Sequence, residues 1–217
     1  MGRRSTRILG VAALAGLLAF VGYEAFAISR AQARTPDVVA RARTGELAFT
    51  DLSPRRRAML LAVEDPNFAR HKGLDFRTPG AGITTITQGL VKRFYFESFE
   101  PGFAKIEQSL IARFVLHPAL SKKDQIAATL NHANFGHQPG RQVVGFADAS
   151  RVYFGREFGQ LDDRQYLGLV AMLVAPNALD PIRHARANAE RVGRIERLLA
   201  GRCRPDGNSD VMYEACA

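Results

Sequence analysis

The apolar and polar positions of this chain fall into one long apolar run followed by a series of shorter helical patterns. Arg3, Arg4 and Arg7 precede Ile8 to Ile28, a 21-residue stretch whose only charged member is Glu24. At about 1.5 Å rise per residue such a run reaches roughly 30 Å, the hydrocarbon thickness of a bilayer. It predicts a transmembrane helix over 8–28 behind a basic tail, 1–7. A cleaved signal peptide is the competing reading, for which Ala27-Ile28-Ser29 offers only a weak site. Basic residues ahead of the span predict a cytoplasmic N-terminus, with the rest of the chain on the outer side and Glu24 within reach of water. Residues 29–44 alternate irregularly and are mostly polar, which predicts a linker.

Beyond the linker the helical period dominates. Ser53-Pro54 reads as an N-cap followed by proline at the first helical position, with Met59, Leu60, Leu61 and Val63 as the apolar side, and Pro66 ends that helix just after Glu64. Gly80-Ala81-Gly82 leads to a helix predicted from Thr84 to about Tyr95. Phe103, Ile106, Leu110, Ile111 and Phe114 form one stripe of a helix over 103–116. Ser121 to Asp124 resembles a capping box and starts a helix ending near Asn131. Later helices are predicted over 145–154, 162–173 and 185–199, the last stopped by Gly201. No alternating strand run and no internal repeat stands out, so the core is expected to be mainly α-helical.

Composition narrows this picture. The length of 217 residues and the 47% apolar content suit one core with appendages. The net charge of +9 calls for anionic partners: nucleic acid, lipid headgroups or a phosphorylated substrate. Export argues against nucleic acid. Cys203 and Cys216 are the only cysteines; in an exported chain a disulfide between them would pin the tail, 201–217. No Cys/His cluster has zinc spacing, and no residue is assigned as a metal ligand.

Two segments hold candidate chemistry. Glu64-Asp65, followed by Phe68, His71, Gly73 and Asp75, puts ionisable groups at the end of an apolar helix, where desolvation can make a carboxylate a proton acceptor. An Asp-Pro turn capping a helix would explain the same residues. In the second segment, helical spacing would align Thr84, Gln88 and Lys92 on one face, with Arg93 beside them, a set suited to a phosphate-and-sugar ligand. Ordinary capping plus a solvated basic face is the plainer account.

Together, Glu64 to Asp75 and Gly82 to Lys92 closely resemble the first two signature motifs of the family 51 glycosyltransferases, the penicillin-binding-protein glycosyltransferase domains and their monofunctional relatives. Ser121-Lys122, Thr129-Leu130-Asn131, Phe135-Gly136, Gly145, Tyr153-Phe154-Gly155, Pro176 and Pro181 are similar to later family elements, so the likeness covers about 45–200. A monofunctional form is the expectation. There are departures. Gly89 stands where the family usually has a second glutamine, and Gln165 where it has a glutamate. The third motif, normally Arg-Lys-x-x-Glu, reads Lys105-Ile106-Glu107-Gln108, with the carboxylate one position early.

The resemblance implies a lysozyme-like helical domain behind the span, held at the bacterial inner membrane with its catalytic part periplasmic. It implies polymerisation of lipid II into glycan strands, with inversion at the anomeric carbon and release of a polyprenyl pyrophosphate. Glu64 would be the catalytic base and Glu107 either a second active-site carboxylate or a misaligned remnant of the third motif. Asp65, Phe68, His71, Thr84, Gln88, Lys92, Arg93 and Lys105 would bind substrate, with a divalent cation (Mg2+ or Mn2+) as a compatible cofactor. Partners would be lipid II, the growing strand, the membrane and cell-wall elongation or division proteins. Phe94, Tyr95, Phe96, Phe99 and Phe103 are candidates for a lipid-facing patch. The alternatives are a degenerate, non-catalytic lipid II-binding member and a lysozyme-like glycan hydrolase.

Overall fold

A single helix, α1 (Gly2–Ala42), opens the computed structural model, which describes residues 2–217 and side chains from residue 8 onward. In its first half Ile8, Leu9, Val11, Leu17 and Leu18 are exposed, and the helix is long and apolar enough to cross a membrane. Its second half corrects the linker expected over 29–44. The helix continues to Ala42, and Ala27, Ala31, Val38 and Ala42 are buried along one stripe against the domain. These small residues let α1 approach closely, while charged residues beside the stripe hide the period: Arg34 donates to the Tyr95 carbonyl at 3.4 Å and Arg41 lies over the Phe94 ring. The Thr35 and Tyr95 hydroxyls, 2.9 Å apart, tie this half to the third helix. Glu24 is also corrected: it is buried, 5% exposed, and its oxygens have no partner among the described residues.

Helix α2 (Pro54–Glu64) begins as its sequence requires, Ser53 Oγ accepting from the Arg56 N–H at 3.2 Å. Helix α3 (Ile86–Tyr95) starts two residues later than the period suggested. The reason is a reciprocal cap: Thr85 Oγ1 accepts from the Gln88 N–H at 3.1 Å, and Gln88 Oε1 accepts from the Thr85 N–H at 3.0 Å. Thr84 therefore lies outside the helix, and the expected Thr84, Gln88, Lys92 line does not exist.

Helix α4 (Phe103–Ile111) continues into a wider π turn, Ala112–Leu116, so the single helix expected over 103–116 changes its winding at Ala112. α5 (Lys122–His132) follows. A hairpin of β1 (Asn134–Gln138) and β2 (Arg141–Val144) corrects the expectation of no strands. Its polar residues do not alternate; pairing follows instead from the Pro139-Gly140 turn, with Gln138 opposite Arg141. α6 (Phe146–Phe154), α7 (Asp163–Met172) and α8 (Ala185–Leu199) complete a mainly α-helical domain. Gln165 closes a capping box with Asp162, a structural use of its amide. Phe135, Phe146, Phe158 and Tyr166 stack at the centre, between α6, α7 and the hairpin. Cys203 and Cys216 are joined in a disulfide that closes the tail on itself.

Candidate active site

Helix α2 stops where Pro66 disfavours another turn, and its last residue is Glu64. The carboxylate is half-buried at a helix C-terminus, where the backbone dipole also disfavours negative charge. Burial pushes its pKa up to about 7, against the opposing pull of the Arg191 guanidinium and with a smaller push from the Asp65 charge. Among the described residues no donor hydrogen-bonds it. A carboxylate with a pKa near 7 and its oxygens free is matched to taking a proton at neutral pH.

Asp65, one residue on, is fully occupied. Its Oδ1 accepts from His71 Nε2 at 2.8 Å, and its Oδ2 accepts from the Ile86 N–H at 3.0 Å, at the N-terminus of α3. His71 Nδ1 accepts from the Gly73 N–H at 3.0 Å, so Nε2 carries the hydrogen given to Asp65. Thr85 Oγ1 donates to the Gly73 carbonyl at 2.7 Å. Gln88 Nε2 donates to Ser109 Oγ at 3.0 Å, and Gln108 Nε2 to the Gln88 carbonyl at 2.7 Å. One buried network thus joins the end of α2, the start of α3 and the inner face of α4. Gly73 is required in it: its φ is +96°, and a Cβ would meet the Ala112 carbonyl at 2.7 Å.

Asp65, Phe68, His71 and Gln88 were expected to touch substrate, and the structure buries all four beneath the site. Phe68 carries the Lys122 ammonium 3.9 Å over its ring; that ammonium is buried with no hydrogen-bond partner among the described residues, and burial lowers its pKa against the pull of Asp65.

A second, more open group lies beside this network. Lys105 Nζ donates to Thr84 Oγ1 at 2.8 Å, and its pKa is lowered by burial and by the nearby Lys92. Lys92 sits over the Phe99 ring at 5.1 Å. Arg93 is exposed on the same helix, on the side of His132. Of the aromatic candidates, Phe94 and Tyr95 are core, Phe96 and Phe99 are half-buried, and Phe103, 76% exposed, faces Phe20 of α1.

Glu107 is not among the charges that act on Glu64, which are those of Arg191 and Asp65. It lies against α1, 3.9 Å from Arg30 and close to Glu24. One step along a helix turns a side chain by about 100°, and the residue aimed into the network is Gln108, three after Lys105. The sequence reading also missed Arg191, Tyr213 and Tyr166. Arg191 is buried on the inner stripe of α8 with Asn188, Val192 and Ile195, and an arginine on an apolar helix face was the available signal. Tyr213 donates to the Val63 carbonyl at 2.7 Å and Tyr166 to the Arg56 carbonyl at 3.1 Å, so both brace α2. Among the described residues no three His, Cys, Asp or Glu side chains converge as metal ligands, and the one carboxylate beside Glu64 is already used. The donor set does not fit a resident divalent ion.

The structure thus defines a helical domain led by an apolar helix, with one carboxylate whose pKa burial raises to about 7. The family described as Transglycosylase matches residues 33–200, and the chain belongs to that family. It is 33% identical over 138 residues to the biosynthetic peptidoglycan transglycosylase of Alcanivorax borkumensis, covering 58% of this chain and 54% of that one. To the protein of the same description from Chromobacterium violaceum it is 28% identical, covering 78% of each. Penicillin-binding protein 1B of Vibrio cholerae is 28% identical over 64% of this chain and 20% of its own length. The chain therefore spans about half of the first of these relatives and a fifth of the last.

Proposed function

We propose that this chain is a membrane-anchored peptidoglycan glycosyltransferase that polymerises lipid II with Glu64 as the catalytic base. The observation that carries the reading is Glu64 itself: half-buried, with no hydrogen bond to it among the described residues, a pKa near 7 and a fixed place at the end of α2. Its carboxylate takes the proton of the acceptor sugar's 4-hydroxyl as that oxygen attacks the anomeric carbon of the donor. The bond from that carbon to the lipid pyrophosphate breaks, and attack from the opposite face inverts the centre. Lys105, held by Thr84, and the nearby Lys92 offset the charge that develops on the leaving pyrophosphate. Asp65, His71 and Gln88 keep α2 and α3 in register beneath these groups. Arg93 adds to the positive surface that attracts the anionic substrate.

The same reading puts a single span in the inner membrane, with residues 1–7 cytoplasmic and the domain periplasmic. Support comes from Arg3, Arg4 and Arg7 ahead of the apolar run and from a disulfide suited to an oxidising compartment. The test is polymerisation of purified lipid II. Wild type should yield glycan strands and Glu64→Gln almost none; equal yields would sink the proposal.

Gln108 favours one second reading, a member that binds lipid II without turning it over. A neutral amide there bonds the Gln88 carbonyl, where the family motif carries glutamate. On that reading wild type binds lipid II but makes no polymer, and Gln108→Glu gains activity.

A further inference from the structure

Residues 201–217 lie beyond the family match, which ends at residue 200, yet they are built into the site. The tail contacts three of the elements that determine where Glu64 stands. Tyr213, 1% exposed, donates its hydroxyl to the carbonyl of Val63, the residue before Glu64. Arg191, the cation acting on Glu64, is held by the Val211 carbonyl at 2.6 Å and by the Ala171 carbonyl at 3.1 Å. The loop leading to α3 is gripped on both sides. The N–H groups of Gly80 and Gly82 donate to the carbonyls of Gly207 and Asn208 at 2.8 and 2.9 Å, and the Asn208 amide donates back to Thr78 and Gly82.

Two further features show that the tail is constrained rather than draped. Tyr213 is the one non-glycine residue with positive φ, +53°, among the described residues. A bulky residue keeps that conformation only where its surroundings fix it. Asp210 accepts from the N–H groups of Asp206, Glu214 and Ala215, giving the segment an internal scaffold, and the disulfide ties its ends.

We propose that residues 203–216 are a positioning clamp for the catalytic base, joining α8, the Thr78–Gly82 loop and the end of α2 so that Glu64 stands in a fixed relation to the start of α3. Asn208 and Tyr213 are its positioning residues. The proposal rests on the role given to Glu64 above. The alternative is a cap that merely adds stability.

Two local variants, Tyr213→Phe and Asn208→Ala, and the double variant Cys203→Ser with Cys216→Ser separate these. The clamp predicts a fall in kcat for lipid II polymerisation of roughly 10-fold, with KM changed much less, because misplacing a reacting group costs turnover more than binding. It also predicts that the Glu64 titration, followed by NMR of carboxyl-labelled glutamate, moves from about 7 toward the ordinary range as the end of α2 opens to water. Amide exchange at Gly80 and Gly82 should quicken in Asn208→Ala. A lower melting temperature with kcat and the Glu64 titration unchanged would overturn the clamp and leave a stabilising cap. If wild type makes no polymer, the glycosyltransferase reading fails. The titration still decides the clamp: a displaced Glu64 midpoint sustains it, and an unmoved one overturns it.

Discussion

Glu64 and Asp65 are neighbours in sequence and opposites in environment. Asp65 is buried with both oxygens bonded, to His71 and to the N-terminus of α3. Glu64 is half-buried with no donor on it among the described residues. The first has both oxygens held by fixed donors, and it welds two helices together. The second is taken out of water by burial, with no donor on it among the described residues, so it holds a proton more tightly and is ready to exchange it. Saturation makes a structural carboxylate and its absence makes a reactive one, even within a single turn of chain.

The contrast can be broken most forcefully at Asp65. Asp65→Ala would leave the His71 Nε2–H and the Ile86 N–H unpaired in the interior, at a cost of about 3–5 kcal/mol to folding. Urea unfolding measures it, and an unchanged midpoint would remove Asp65 from its structural role. Glu64→Gln should do the reverse, lowering kcat by roughly 10²–10⁴ while the protein unfolds no earlier than wild type. Replacing both cysteines by serine should cost about 3 kcal/mol, the chain-entropy value for a loop of this length. Thermal unfolding with and without reductant reads that loss.

A smaller effect follows from the sign of the Glu64 shift. Its folded pKa, about 7, lies above the ordinary glutamate value of 4.5. The folded state therefore binds this proton more tightly, and the stability it confers below about pH 4.5 is lost as pH rises to 7. Glu64→Gln, which cannot ionise, should be more stable than wild type by roughly 1–2 kcal/mol at pH 8 and no more stable at pH 4, after allowance for solvent screening of a half-buried group. The same ionisation should give wild-type kcat an acid limb centred near pH 7. A limb near 4.5 would mean that Glu64 is better solvated than its place at the end of α2 implies.

The helices were legible because each has a local signature, an apolar period or a capping residue such as Ser53, Ser121 or Asp162. The hairpin was not, since its pairing follows from a Pro-Gly turn and from glycine conformations rather than from alternation. The second half of α1 was masked because alanine does the packing there. Glu64 could be placed at a helix end beside a proline from sequence alone. Its poise could not, because that depends on Arg191 and Tyr213, more than 120 residues away along the chain. The offset between Glu107 and Gln108 shows the same limit: a motif gives residue types, and only the winding of α4 decides which of two neighbours faces inward.

Gly89 sharpens the comparison at its finest scale, because α3 repeats it. Thr87 and Gln88 are fully buried, their side chains bonded to Gln125 and Ser109. Gly89, the next residue, is exposed, and a Cβ built on it meets nothing within 4 Å. Its φ is not in the left-handed region, so no conformational need for glycine remains. In a helix interior glycine is less favourable than alanine by about 0.5–1 kcal/mol, because its unfolded chain has more backbone entropy to lose on folding. Gly89→Ala should therefore raise stability by about that amount in urea unfolding, whereas Gln88→Ala, one residue earlier, should lower it by more. If Gly89→Ala destabilised the protein instead, the open side of α3 would be packed rather than free, and the line between a saturated inner face and an open outer one would have to be redrawn.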